Sequence, residues 1–283
     1  MTEGTSSRRV AGGAVLRALA PDRITFTLAA LLLLIFLVLP VAAILVKVAR
    51  ATAPLDALGS SVVTEALRLS LVTSSISAAV AAVLGTPVAF LLARYRFPGR
   101  VVLDSLVDLP MVLPPAVAGL GLLMAFGRRG ILGGALDVLG LELAFTTAAV
   151  VMAQTFVAAP FYIRSAKAGF EGVDRELERV SATLGSSRLR TFFRVTVPLA
   201  GPALMGGAVM AWARALGEFG ATIMFAGNTI GRTQTMPLAI YIAFQNDLTA
   251  ALVLAGILVV VSFAVLFTFK ALLGRSPLGA ARA

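Results

Sequence analysis

The stretch EGVDRELERVSATLGSSRLRTFFRVTVP, residues 171–198, decides the fold, because it is a polar, patterned segment set between two long apolar runs. Asp174 has the chemistry of an N-cap, and Glu176 and Glu178 suit the positive end of a helix dipole. Leu177, Val180, Ser181 and Leu184 fall on one face of that helix, and Gly185 stops it. Ser186 or Ser187 then caps a second helix, in which Leu189, Phe192 and Phe193 lie together while Arg188, Arg190 and Arg194 point elsewhere, until Pro198 leads into the next apolar run. The spacing predicts a helix-turn-helix over about 171–196, lying at the inner face of a membrane.

Outward from this segment the chain is apolar. Of its 283 residues 59% are hydrophobic and only 13% charged, far from the average soluble domain. A helix needs about 20 apolar residues to cross a bilayer, and windows near 24–46, 66–93, 105–126, 144–163, 200–226 and 248–269 meet that length. Uninterrupted apolarity excludes the alternating pattern of a membrane barrel. The expected fold is therefore all-α: a polytopic membrane protein with six transmembrane helices, a tail over 1–23 and a membrane domain over 24–283. The first window is longer than a signal-peptide core and reads as an uncleaved first helix.

Charge placement sets the orientation. Basic residues crowd four segments, Arg8 to Arg23, Arg94 to Arg100, Arg164 to Arg194 and Lys270 to Arg282, whereas the alternate ends hold only Lys47, Arg50, Arg68, Arg128, Arg129 and Arg232. Positive residues stay inside, so both termini are expected in the cytoplasm. Topology alone accounts for the net charge of +10, and no nucleic-acid role is needed to explain it. With no Cys and no His, disulfides and the commonest zinc and haem ligand sets are excluded. Neither a Gly-x-x-x-x-Gly-Lys-Ser/Thr loop nor an acidic cluster suited to magnesium occurs, so the chain is expected to be no ATPase, with no catalytic residue, no metal and no cofactor of its own.

Two places inside the windows depart from plain apolarity. Pro110, Pro114 and Pro115 each remove a helix hydrogen bond, which predicts a broken helix, either lining a translocation path or packed as a simple kink by Gly119 and Gly121. Arg214 and Glu218 stand one turn apart within the fifth window, where an unpaired charge costs at least about 2.5 kcal/mol. They either neutralise each other and fix packing, or present Arg214 to a dianion on its path. Glycines 201, 206, 207, 217 and 220 would allow close helix approach.

Residues 171–198 resemble the signature of ABC importer permeases, Glu-Ala-Ala, three residues, Gly, nine residues, Ile-x-Leu-Pro. Aligned on Gly185, the spacing fits Val195, Val197 and Pro198, while Arg179, Val180 and Ser181 replace the opening triplet and Glu178 lies one position away. Gly217-Glu-Phe-Gly-Ala-Thr, Phe225-Ala-Gly-Asn228, Thr235-Met-Pro-Leu-Ala-Ile-Tyr241, Leu-Pro-Met-Val-Leu-Pro-Pro in the third window and Ala-Gln-Thr-Phe-Val-Ala-Ala-Pro160 in the fourth are similar to the oxyanion branch of these permeases, molybdate permeases above all. Sulfate, thiosulfate and tungstate permeases carry similar stretches. The resemblance implies a type I importer permease fold, a homodimer, two ATP-binding subunits that hold ATP and Mg, and an extracytoplasmic oxyanion-binding protein. It also implies that Arg179, Leu184, Gly185, Arg188, Leu189 and Phe192 form a coupling helix seated in the ATP-binding subunit; Pro110, Pro114, Pro115, Arg214 and Glu218 remain, from their own chemistry, the candidates for the path or its gate. Against it stand an amphipathic helix resting on lipid headgroups, and an ATP-independent channel or ion-coupled carrier, which would need Arg214 and Glu218 for coupling.

Overall fold

The computed structural model describes residues 23–50 and 61–274, and among these every regular element is helical. The first helix, α1 (Arg23–Ala49), belongs to a unit of its own, Met1–Ala51. It is 27 residues long and apolar on all sides, as a helix facing lipid must be. The expected tail over 1–23 lies outside the described residues apart from Arg23.

The second unit contains α2 (Ser61–Arg94), α3 (Arg100–Val112), α4 (Pro115–Phe126), α5 (Gly133–Val138), α6 (Thr147–Glu171), α7 (Arg175–Thr183), α8 (Arg188–Thr191), α9 (Val197–Leu216), α10 (Gly220–Ala226), α11 (Met236–Asn246) and α12 (Leu248–Gly274). Its centre is a bundle of α2, α6 and α9, in which α6 packs on both α2 and α9 more extensively than any other pair of described elements. Small residues permit this. Ala81, Ala89, Ala158, Ala166, Ala200 and Ala211 fill the shared core, and a Cβ at Gly207 would stand 2.8 Å from Ser165 Cβ. Polar groups also bond across these helices: Ser77 Oγ reaches Val151 O at 3.1 Å and Gln154 Oε1 at 3.2 Å, and Thr86 and Tyr162 share a hydrogen bond of 2.6 Å.

Among the described residues, four helices qualify as membrane spans by length and apolarity: α1 from Thr25, α2, the continuous run Arg188–Leu216, and α12 as far as Phe269. The bent pair α3 and α4 makes a fifth if counted as one span. Three of the six windows therefore differ from expectation. The third is turned by 116° between α3 and α4, and α4, with 12 residues, is about 18 Å long, too short to cross alone. The fourth does not end near 163 but continues to Glu171, carrying Gln154, Arg164 and Lys167 within the helix and so falling short of the others in apolarity. The fifth stops at Leu216, and residues 217–219 separate it from the short α10.

Local chemistry explains the break between α3 and α4 and the widening before α9. Leu113 and Pro114 both precede a proline and both are extended, with ψ of 135° and 134°, while Pro115 occupies the first turn of α4, where its missing N–H costs nothing. Pro110, by contrast, is absorbed inside α3. Near the start of α9 the helix widens to a π turn over Phe192–Thr196, where Val197 N–H donates to Phe192 O. Pro198, four residues after Arg194, supplies no N–H to that carbonyl and its ring crowds it, which the wider turn relieves.

Candidate functional site

The helix-turn-helix forms as its sequence dictates. Asp174 Oδ1 accepts from Glu176 N–H at 2.9 Å and caps α7. At the other end Gly185 takes φ +82°, Gly185 N–H donates to Ala182 O, and Ser186 N–H donates to Ser181 O. This is the Schellman arrangement, and its left-handed position is open to glycine at no steric cost. Ser187 Oγ then accepts from Arg190 N–H at 3.4 Å and starts α8.

The amphipathicity of α7 is inverted. None of its residues is buried, and Leu177, Val180 and Leu184 all face out, Leu184 being 81% exposed. Leu189 and Phe193 of the second limb are exposed as well. The polar face turns inward: Glu178 Oε1 accepts from Arg94 Nη2 at 2.9 Å and from Thr196 Oγ1 at 2.8 Å, and Ser181 shares a hydrogen bond with Thr191 at 3.0 Å. A cavity of about 1020 Å³ opens beneath the turn, between α2 and the π segment, with Glu178, Ser186 and Arg188 among the residues lining it. The knob is thus tied down by polar bonds and leaves an apolar face uncovered, which is a mark of an interaction surface.

Of the residues expected to couple, Leu184 and Gly185 lie on the outer side, and Arg188 and the exposed Leu189 border the cavity. Arg179 is exposed and paired with Glu176, a surface ion pair of small energetic weight. Phe192 does not share the outer surface. Its ring packs edge-on against Phe90 at 4.9 Å and joins the core cluster that contains Phe170. Phe193 presents the exposed aromatic ring instead.

The two expected path segments meet. A Cβ at Gly220 would stand 2.8 Å from Pro115 Cβ, and one at Gly119 would stand 2.5 Å from Ala221 O, so the break before α4 packs directly on the break before α10. Gly121 meets nothing within 4 Å. Glu218, 1% exposed, sits at this crossing: its Oε2 pairs with Arg214 at 2.7 Å and its Oε1 accepts Ala221 N–H at 2.8 Å, capping α10. Pro110 lies apart, within α3.

Sequence reasoning missed two charged clusters. Arg164 on α6 pairs with both Asp104 and Asp108 of α3, and Lys167 Nζ reaches Asp104 Oδ1 at 3.0 Å. The clamp holds the bent α3 against the bundle. Arg94, with 8% of its side chain exposed, is the second, joining the end of α2 to α7. In the sequence both arginines look like loop cations of the inner face, and their partners stand 56 to 84 residues away.

Residues 85–276 match the family of binding-protein-dependent transport system inner membrane components. The chain is 45% identical over 216 residues to the molybdenum transport system permease protein ModB of Mycobacterium tuberculosis, covering 76% of this chain and 80% of that one. It is 33% identical over 244 residues to the sulfate transport system permease protein CysT of Escherichia coli, covering 85% and 88%. Its fold matches a chain of a bacterial ABC transporter involved in the import of the acidic polysaccharide alginate, with a TM-score of 0.71 at 16% identity over 93% of this chain and 99% of that one. With two thirds of its length in the family match and a shared permease fold, the chain belongs to the binding-protein-dependent transport system inner membrane components, the multi-pass permeases of ABC importers.

Proposed function

We propose that this chain is the oxyanion-translocating permease of an ABC importer, that molybdate is its cargo, and that α7 and α8 are the knob through which an ATP-binding subunit drives it. The observation that carries the reading is the uncovered apolar face of Leu177, Val180 and Leu184, with Leu189 beside it, on a segment whose polar side is anchored to its own bundle. A helix resting on lipid headgroups would be held by its contact with the bilayer; here the polar side of the segment is bonded to its own bundle through Glu178 and Ser181, which leaves the apolar residues free to enter a protein groove. Two copies of the chain, both termini cytoplasmic, would share two ATP-binding subunits, which hold ATP and Mg, and an extracytoplasmic binding protein would deliver the anion. Closure of the ATP-binding subunits would move the two knobs, and with them each bundle, from inward-open to outward-open as rigid bodies. The anion itself is not altered.

Molybdate is favoured by the 45% identical relative, and sulfate, a dianion of the same shape, by the 33% identical one. The test is uptake of radiolabelled molybdate by proteoliposomes holding the complete complex, with ATP inside and unlabelled sulfate or molybdate as competitor. Molybdate should compete at least tenfold better than sulfate. Uptake without ATP would sink the importer reading, and better competition by sulfate would reassign the cargo. Leu184→Glu should abolish co-purification of the ATP-binding subunit, and its retention would remove the knob from the contact.

A further inference from the structure

We propose that Arg94 is a positioning residue for coupling: together with Glu178 and Thr196 it forms a buried polar strut that carries the movement of the knob into the long helix α2. The inference rests on α7 and α8 being the docking knob and adds the element that transmits their motion.

No residue of α7 is buried, and a cavity of about 1020 Å³ lies under the turn, so apolar packing does not hold this segment down. The end of α2 reaches this segment through Arg94. Its Nη2 donates to Val173 O at 3.0 Å, just before α7, and to Glu178 Oε1 at 2.9 Å, on the second turn of α7. The same Glu178 oxygen receives Thr196 Oγ1 at 2.8 Å, from the end of the π turn that leads into α9, and Thr196 is 1% exposed. Arg175 returns the link by donating to Arg94 O at the end of α2. One carboxylate oxygen therefore joins three elements, α2, α7 and the start of α9. A guanidinium with two fixed acceptors in a mostly buried setting holds its geometry as an exposed ion pair does not.

From Arg94, α2 runs 34 residues, about 51 Å, to the opposite end of the bundle. On the way Ser70 Oγ accepts Met236 N–H at 2.7 Å and caps α11. A displacement of α7 reaches Arg94 through two hydrogen bonds and then travels along a helix tied at its far half to α11. Without the strut, α7 is held to the bundle by the peptide links at residues 172–174 and 184–187, the Ser181–Thr191 bond and the single bond from Arg175 to Arg94 O.

The experiment uses the whole complex with its ATP-binding subunits and binding protein in proteoliposomes, and reads molybdate moved per ATP hydrolysed. Arg94→Gln and Glu178→Gln should each lower that ratio at least tenfold while the amount of co-purifying ATP-binding subunit stays within twofold of the parent. Because the chain has no cysteine, Arg94→Cys with Glu178→Cys can be bridged by a short bis-maleimide. Bridging should restore at least half of the parent ratio, and the unbridged protein should stay low. A role limited to folding would lower yield and assembly and would not respond to the bridge. An unchanged ratio in Arg94→Gln, or no recovery on bridging, overturns the proposal. Failure of the parent chain to retain any ATP-binding subunit would instead remove the docking reading on which it stands.

Discussion

Replacing Arg214 by alanine strands the Glu218 carboxylate, and the structure fixes how much that should cost. Glu218 is 1% exposed and Arg214 28%, so the two halves of the pair are not equivalent. Losing the arginine leaves a charge with no route to water, and removal of one partner of a buried ion pair costs about 3–5 kcal/mol. Losing the glutamate leaves a guanidinium that can rehydrate, together with an uncapped Ala221 N–H, a deficit of about 1–3 kcal/mol. Arg214→Gln with Glu218→Gln removes both charges and keeps hydrogen-bonding amides, so it should be more stable than Arg214→Ala by about 2 kcal/mol or more. Reversible unfolding in mixed detergent micelles measures these differences; 3 kcal/mol is a change of about a hundredfold in the equilibrium. Equal stability of Arg214→Ala and Glu218→Ala, or a double variant no better than Arg214→Ala, would refute the argument. The double variant also separates structure from transport: if the pair only fixes the α9–α10 corner, uptake survives with the recovered stability, whereas if Arg214 meets the dianion, stability returns and uptake does not.

At Gly119 an added side chain would have to displace Ala221 O at 2.5 Å, so Gly119→Val should cost about 1–3 kcal/mol and lower the yield of folded protein, while Gly121→Ala, with nothing within 4 Å, should be neutral or slightly stabilising in the same unfolding assay. Gly185→Val forces a β-branched residue to φ +82° and should destabilise the knob by about 1–3 kcal/mol, with Gly185→Asn milder; protease cleavage within residues 175–191 at native temperature reports the difference. Arg164→Ala releases Asp104 and Asp108 and should loosen α3, raising the maleimide labelling rate of a single cysteine placed at Leu109 several-fold, with no change for one placed at Leu184.

What could be read from the sequence was local. The caps of α7, its stop at Gly185 and the two-helix turn follow from residues within a few positions of one another, and the all-α class follows from windows of apolar residues. What could not be read was set by distant partners. Apolarity marks the fourth window only as far as about 163, where Arg164 and Lys167 follow, yet Asp104 and Asp108 from α3 neutralise them and the helix runs on to Glu171. Phe192 and Phe193 are equivalent by pattern, but the π turn rotates the helix face so that Phe192 enters the core against Phe90 and Phe193 stays outside. Spacing puts Ser181 on one face with Leu177 and Val180, but its hydroxyl bonds inward to Thr191.

The two broken segments gain their meaning only together. Each break alone is a local effect, prolines forcing residues 113–114 to extend and residues 217–219 separating α9 from α10. Their backbones nevertheless meet at glycine contacts, Gly220 on Pro115 and Gly119 on Ala221, and the ion pair of highest burial sits at the same corner. Interrupted helices at membrane depth are tolerated where protein or a watery path surrounds them. On one side of this corner α3 is clamped to α6 through Arg164, and α6 packs on α2, which ends at Arg94 and the knob. On the other, α9 begins at the π turn that carries Thr196. Both arms of the corner are therefore linked to the Glu178 node through packed helices and charged bonds, so a contiguous chain of contacts runs from α7 to each arm. That connectivity is what an importer needs if one cytoplasmic displacement is to rearrange a distant constriction.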